Sequence, residues 1–212
     1  MGNSHMYPVL RTTDLDAAFA LVDRLLPIAN EIEYLDLWAV TGSHDLSRYA
    51  ALPQARYSAV APAELADAVL DGLGDLITEP HHVHHRARGS ELVIDRLDAR
   101  AAQLLRELPA FRLDVDVDRA PPGTVERSYR DAVGQDVGGI YWKVTWPPIE
   151  DLTPYGCVKY GGLEITVNSA GLFDETYTGD HTVWVHTRED WRARWLAEQA
   201  GAEVVGEMRS GR

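Results

Sequence analysis

The chain has 212 residues, a hydrophobic fraction of 45%, 33 acidic against 20 basic side chains and a net charge of −13. A chain of that length buries roughly 70% of the surface its unfolded form exposes, so a packed core is expected and general disorder is excluded. Only two lysines are present, Lys143 and Lys159, which argues against a phosphate-neutralising nucleic-acid surface, and the single Cys157 excludes an internal disulfide or a thiolate metal site.

Residues 1–6 (Met-Gly-Asn-Ser-His-Met) read as an expression-tag remnant, with the natural chain expected to begin at Met6. The rest, 7–212, is expected to form a single domain, with a candidate sub-boundary in the Pro/Gly-rich stretch 119–123. No apolar run approaches the ~20 residues of a membrane span and no leader precedes Tyr7, so a cytoplasmic protein without membrane contact is expected.

Thr13 followed by Asp16 predicts a capping box, and Leu15, Phe19, Val22, Leu25 and Leu26 then recur at helical spacing up to Pro27. Residues 33–40 alternate as a strand and turn at Thr41-Gly42. Pro62, Leu65, Val69, Leu73, Leu76 and Ile77 predict a second helix ending before Pro80, weakened by Gly72 and Gly74. Leu92-Val93-Ile94 predicts a short strand. Asp95 is expected to cap a third helix carrying Leu97, Ala101, Leu104, Leu105 and Leu108.

The clearest half-buried strand alternates Phe111, Leu113, Val115 and Val117 with Arg112, Asp114, Asp116 and Asp118. After Gly138 three strands follow without an intervening helix. Ile140, Trp142, Val144 and Trp146 oppose Tyr141, Lys143 and Thr145; Leu163, Ile165 and Val167 oppose Glu164, Thr166 and Asn168; Val183 and Val185 oppose Thr182, Trp184 and His186. Thr187 with Asp190 predicts the cap of a final helix, which Gly201 ends. The fold class read from this order is α+β: a mixed or antiparallel sheet with about four helices, alternating strand and helix first and an antiparallel meander plus helix last.

Several motifs carry chemistry only in part. His82 and His84, within His81–His85, share a strand face and are weak metal candidates, because nothing in the sequence supplies a third ligand. Asp114, Asp116 and Asp118 have the spacing that opens a calcium loop, but Arg119 and Val125 stand where Gly and Glu are required, so a solvated acidic strand face fits better. Ser43-His44-Asp45 holds triad residue types whose adjacency prevents convergence, and it reads as a turn. Cys157 has no motif-linked base and reads as structural. Phosphate-loop, dinucleotide and nucleophile-elbow signatures are lacking, and no cofactor is expected.

One constellation remains. Pairing the last three strands in sequence order places Tyr141, Lys143, Glu164, Asn168, Trp184 and His186 on one face, either as an exposed face with a Lys143–Glu164 ion pair or as a recognition or acid/base surface. The acidic charge and the lack of catalytic signatures point first to a binding or inhibitory module for a basic protein, of the immunity type that neutralises a cationic toxin or enzyme. Its contacts are expected at Asp114, Asp116, Asp118, Tyr141, Asn168 and Trp184. The alternative is a small-molecule enzyme with Glu164 and His186 as acid and base and Lys143 or Tyr141 orienting substrate.

Overall fold

The computed structural model describes residues 5–74, 83–85, 91–97, 99–149, 161–171 and 175–211. Their elements in chain order are β1 (His5–Thr12), α1 (Leu15–Leu25), β2 (Glu31–Gly42), β3 (Arg56–Pro62), α2 (Ala66–Leu73), β4 (Val83–His85), β5 (Glu91–Leu97) and α3 (Ala99–Leu104). Then come β6 (Arg112–Ala120), α4 (Glu126–Val133), β7 (Val137–Thr145), β8 (Gly161–Val167), β9 (His181–Thr187), α5 (Asp190–Gln199) and β10 (Arg209–Ser210). Short 3₁₀ turns join several of them. The class is α+β and sheet-dominated, and no helix among the described residues is long and apolar enough to cross a membrane.

The chain divides into two compact units, one of Met1–Leu37, Asp118–Thr124 and Val137–Arg212, the other of Trp38–Val117 and Val125–Asp136. In the first, the strands run in the order β10-β1-β9-β8-β7, and the β10–β1, β1–β9, β9–β8 and β8–β7 pairings are all antiparallel. The meander expected of the last three strands is therefore present, with Ile140 opposite Ile165 and Ile165 opposite Val183. In the second unit the order β6-β3-β5-β4 is likewise antiparallel throughout.

Helices α1 and α5 pack on β1 and β9, and α1 also on β8. Tyr7, the cross-strand partner of Val185, feels Asp190 and Glu189 of α5, and these together with burial raise its pKa. The helices thus cover the Leu163/Val185 side of the sheet, and Phe19, Leu21, Val22 and Leu25 bury themselves from α1. Arg192 is the exception in this core: α5 buries it, and its Nη1 donates to the Pro147 carbonyl at 2.9 Å.

Local chemistry accounts for the departures from expectation. β1 was not predicted, because Pro8 interrupts it; the strand accommodates that missing N–H at a bulge between Pro8 and Leu10. Helix α1 is capped by Asp14, not Thr13: the Asp14 Oδ1 accepts from the Asp16 and Ala17 N–H groups at 2.9 and 3.1 Å. β3 was unassigned because its Ala-rich sequence shows little alternation, although Tyr57, Ala59, Val60 and Ala61 are all buried. Asp95 lies inside β5 and starts no helix. Helix α4 has few apolar residues, of which Tyr129, Ala132 and Val133 are buried. Thr187 closes β9 and bonds the Glu189 carboxylate, so the capping box expected with Asp190 does not form.

The second helix is cut short. It runs only to Leu73, where Gly74 takes φ +45°, a left-handed value that an L-residue avoids. Leu76, Ile77, His81, His82 and Cys157 lie outside the described residues, and of His84 only its backbone place in β4 is described.

Candidate functional site

The register of β7, β8 and β9 brings the expected side chains together. Tyr141 opposes Glu164, which opposes Trp184; Lys143 opposes Gly162, which opposes His186. Tyr141, Lys143, Glu164, Trp184 and His186 therefore share one face, the side away from α1 and α5. Lys143 faces a glycine and not Glu164, so the direct cross-strand ion pair expected between them is corrected.

That face is not an exposed surface. Every residue of β8 and β9 is buried, on both sides of the strands, which overturns the half-solvated reading of their alternation. Trp184 is a core side chain, and the expectation that it projects from an exposed face is corrected. Its indole N–H donates to the Thr166 hydroxyl at 3.2 Å, and the Arg209 guanidinium of β10 lies over its ring at 5.4 Å. Asn168 is buried too, in a left-handed conformation with φ +56°, and its N–H donates to His181 Nδ1 at 3.1 Å.

Within this face His186 Nε2 and Glu164 Oε2 stand 2.9 Å apart, with exposures of 1% and 0%. The Tyr141 ring meets the imidazole edge-on, centroids 5.3 Å apart at 76°. Gly162 makes room for that ring: a Cβ there would come within 2.5 Å of Tyr141 Cε2. His186 Nδ1 has no hydrogen-bond partner. An imidazole held on one nitrogen by a carboxylate and open on the other can accept or deliver a proton at the open nitrogen, provided a reacting group reaches it.

The acidic strand is arranged differently from the expectation of a bare anionic strip. In the second unit Asp114 receives a bidentate bond from Arg112, at 2.6 and 3.0 Å, and Asp116 faces Arg56 across β3. Asp118, in the first unit, is exposed. A charge that is neutralised by its own neighbours offers little to a partner. The Ser43-His44-Asp45 stretch forms a 3₁₀ turn, with His44 Nε2 bonded to the Leu108 carbonyl.

Sequence reasoning passed over a different acidic group. Glu64, Asp67 and Asp71 recur at helical spacing along α2 and the 3₁₀ turn before it, on the side opposite the buried Val69 and Leu73. All three are exposed, and among the described residues none has an ion pair or hydrogen bond through its carboxylate. Their i, i+3, i+7 spacing was the available signal.

Among the described residues no three His, Cys, Asp or Glu side chains are close enough together to hold a metal ion. Compared with known proteins, the chain matches no family model, no curated protein and no solved structure.

Proposed function

We propose that this chain is an acidic protein-binding module whose partner presents a basic surface, of the kind that an inhibitory or immunity-type protein would neutralise. The observation that carries the reading is the uncompensated row Glu64, Asp67 and Asp71. Like charges four residues apart on a helix repel. Asp71 also stands near the carbonyl end of α2, where the helix dipole disfavours an anion and no basic residue offsets it. A sequence that keeps this arrangement accepts a small loss of stability in the free chain, which a cationic partner relieves. The net charge of −13 adds long-range attraction to such a partner.

The test is affinity capture with the purified chain from cells of its source. A stoichiometric protein with a Lys/Arg-rich surface supports the reading, and the absence of any stoichiometric protein partner removes it.

A second reading, acid/base chemistry at Glu164 and His186, is favoured by one observation, the open Nδ1 of His186. It requires that a small molecule reach a side chain that is 1% exposed. Carbethoxylation of His186 by diethyl pyrocarbonate under native conditions tests that access: rapid modification supports it, and protection until the protein unfolds counts against it.

A further inference from the structure

A cavity of about 310 Å³ opens in the first unit where the end of β1 meets the start of β9, lined by Arg11, Thr12, Thr13, Ala170, Asp180 and Thr182. The strand register explains why the two charged groups converge. Arg11 is the cross-strand partner of Thr182, and direct partners in an antiparallel pair project to the same side. Asp180 leads the chain into β9 two residues earlier. Its segment is fixed from both sides, by the Ser169 N–H on the Asp180 carbonyl at 2.9 Å and by the Asn168 N–H on the neighbouring His181 ring at 3.1 Å.

Arg11 and Asp180 are both exposed, and neither side chain has a hydrogen bond or ion pair with any described residue. Opposite charges that line one cavity without closing on each other leave a gap that a ligand carrying both charges fills. The helix end beside them is not that ligand site. Thr12 Oγ1 already accepts the Asp14 N–H at 3.0 Å, and the Asp14 carboxylate occupies the first amides of α1. What remains for a ligand is the guanidinium, the Asp180 carboxylate and the hydroxyls of Thr13 and Thr182.

The C-terminal segment borders the guanidinium. Val205 N–H donates to the Pro8 carbonyl at 2.8 Å, and a Cβ at Gly206 would stand 3.4 Å from Arg11 Nη2. The cavity lies at the small end of ligand sites, which run from roughly 300 to 1,000 Å³. A molecule of amino-acid size suits it.

We infer that this cavity binds a small zwitterion, an α-amino acid or a close analogue, with its carboxylate on Arg11 and its ammonium on Asp180. A guanidinium meets a carboxylate through two parallel N–H bonds, and an ammonium donates to a carboxylate as a compact charge. The site is separate from the α2 row and does not rest on the function proposed above.

The experiment is saturation-transfer NMR on the full chain with free neutral L-amino acids as probes, and with acetate and methylammonium as carriers of one charge each. Transfer to at least one amino acid is expected, with both single-charge probes much weaker. Arg11→Met and Asp180→Asn should each weaken that binding at least about tenfold, since each removes a charge-assisted contact. Both positions are exposed, and unchanged circular dichroism confirms that the variants fold. No transfer to any amino acid overturns the inference. So does binding that survives both substitutions, or acetate binding as well as the best amino acid, which would mean an ordinary cationic patch.

Discussion

His186 Nε2 and Glu164 Oε2 are held 2.9 Å apart on neighbouring strands in a face that water does not reach. Burying such groups is tolerated because they satisfy each other. Removing one partner leaves the other buried without its bond, so Glu164→Ala or His186→Ala should each cost about 3 kcal/mol. Urea unfolding measures this. In the double variant the two losses should fall well short of additive; full additivity would mean that the pair does not interact.

Gly162 and Tyr141 form a second coupled pair. The Tyr141 ring fills the place of a Cβ at Gly162, which would lie 2.5 Å from Cε2. Gly162→Ala should therefore destabilise by about 1–3 kcal/mol through overpacking. Adding Tyr141→Ser to that variant should recover part of the loss. If Gly162→Ala melts like the parent protein, the ring does not occupy that space.

In the second unit Asp136 receives the Tyr49 hydroxyl at 2.7 Å and Arg48 Nη2 at 3.0 Å. It joins the 3₁₀ turn over Ser43–Tyr49 to the end of α4. Burial, and then the Asp136 charge, push the Tyr49 pKa up, which keeps the phenol protonated as the donor. Asp136→Ala strands that hydroxyl and should cost about 1–3 kcal/mol, more than Tyr49→Phe, which removes the donor itself. Equal losses in the two variants would contradict the arrangement.

His181 supplies a pH dependence. Burial lowers its pKa from 6.5, against the opposing influence of Asp180, Asp14 and a hydrogen bond to the Thr13 backbone, so the unfolded chain takes up the proton more readily than the folded one. The stability contributed by the neutral ring is complete above about pH 6.5 and declines as the pH falls below that value toward the lowered folded pKa. His181→Asn keeps an acceptor for the Asn168 N–H and does not titrate. Between about pH 7 and pH 5 the parent protein should lose more stability than this variant, and parallel losses would remove His181 as the cause.

Strand alternation was legible wherever one face met helices and the other did not. Leu113, Val115 and Val117 in β6, and Ile140, Trp142 and Val144 in β7, are buried as their spacing implies. The same alternation misled for β8 and β9, because polar residues that bond one another, such as Glu164 with His186 and Trp184 with Thr166, are buried like apolar ones. β1 and α4 were hidden for opposite reasons. A bulge absorbs the proline that seemed to forbid β1, whereas in α4 three small or aromatic contacts suffice to anchor a mostly charged helix. The α2 row escaped notice because each of its carboxylates is ordinary by itself, and the lack of neutralising neighbours becomes visible only in three dimensions.

The proposal that α2 is the contact face predicts opposite effects on stability and on binding. The measurement that tests it most directly compares the parent chain with the Glu64→Gln, Asp67→Asn, Asp71→Asn triple variant, in thermal unfolding and in affinity for the captured basic protein. The account predicts an equal or higher melting temperature, by an amount on the order of a few tenths of a kcal/mol per relieved repulsion, together with weaker binding that loses much of its salt dependence. Unchanged affinity and unchanged salt dependence in the triple variant would contradict it.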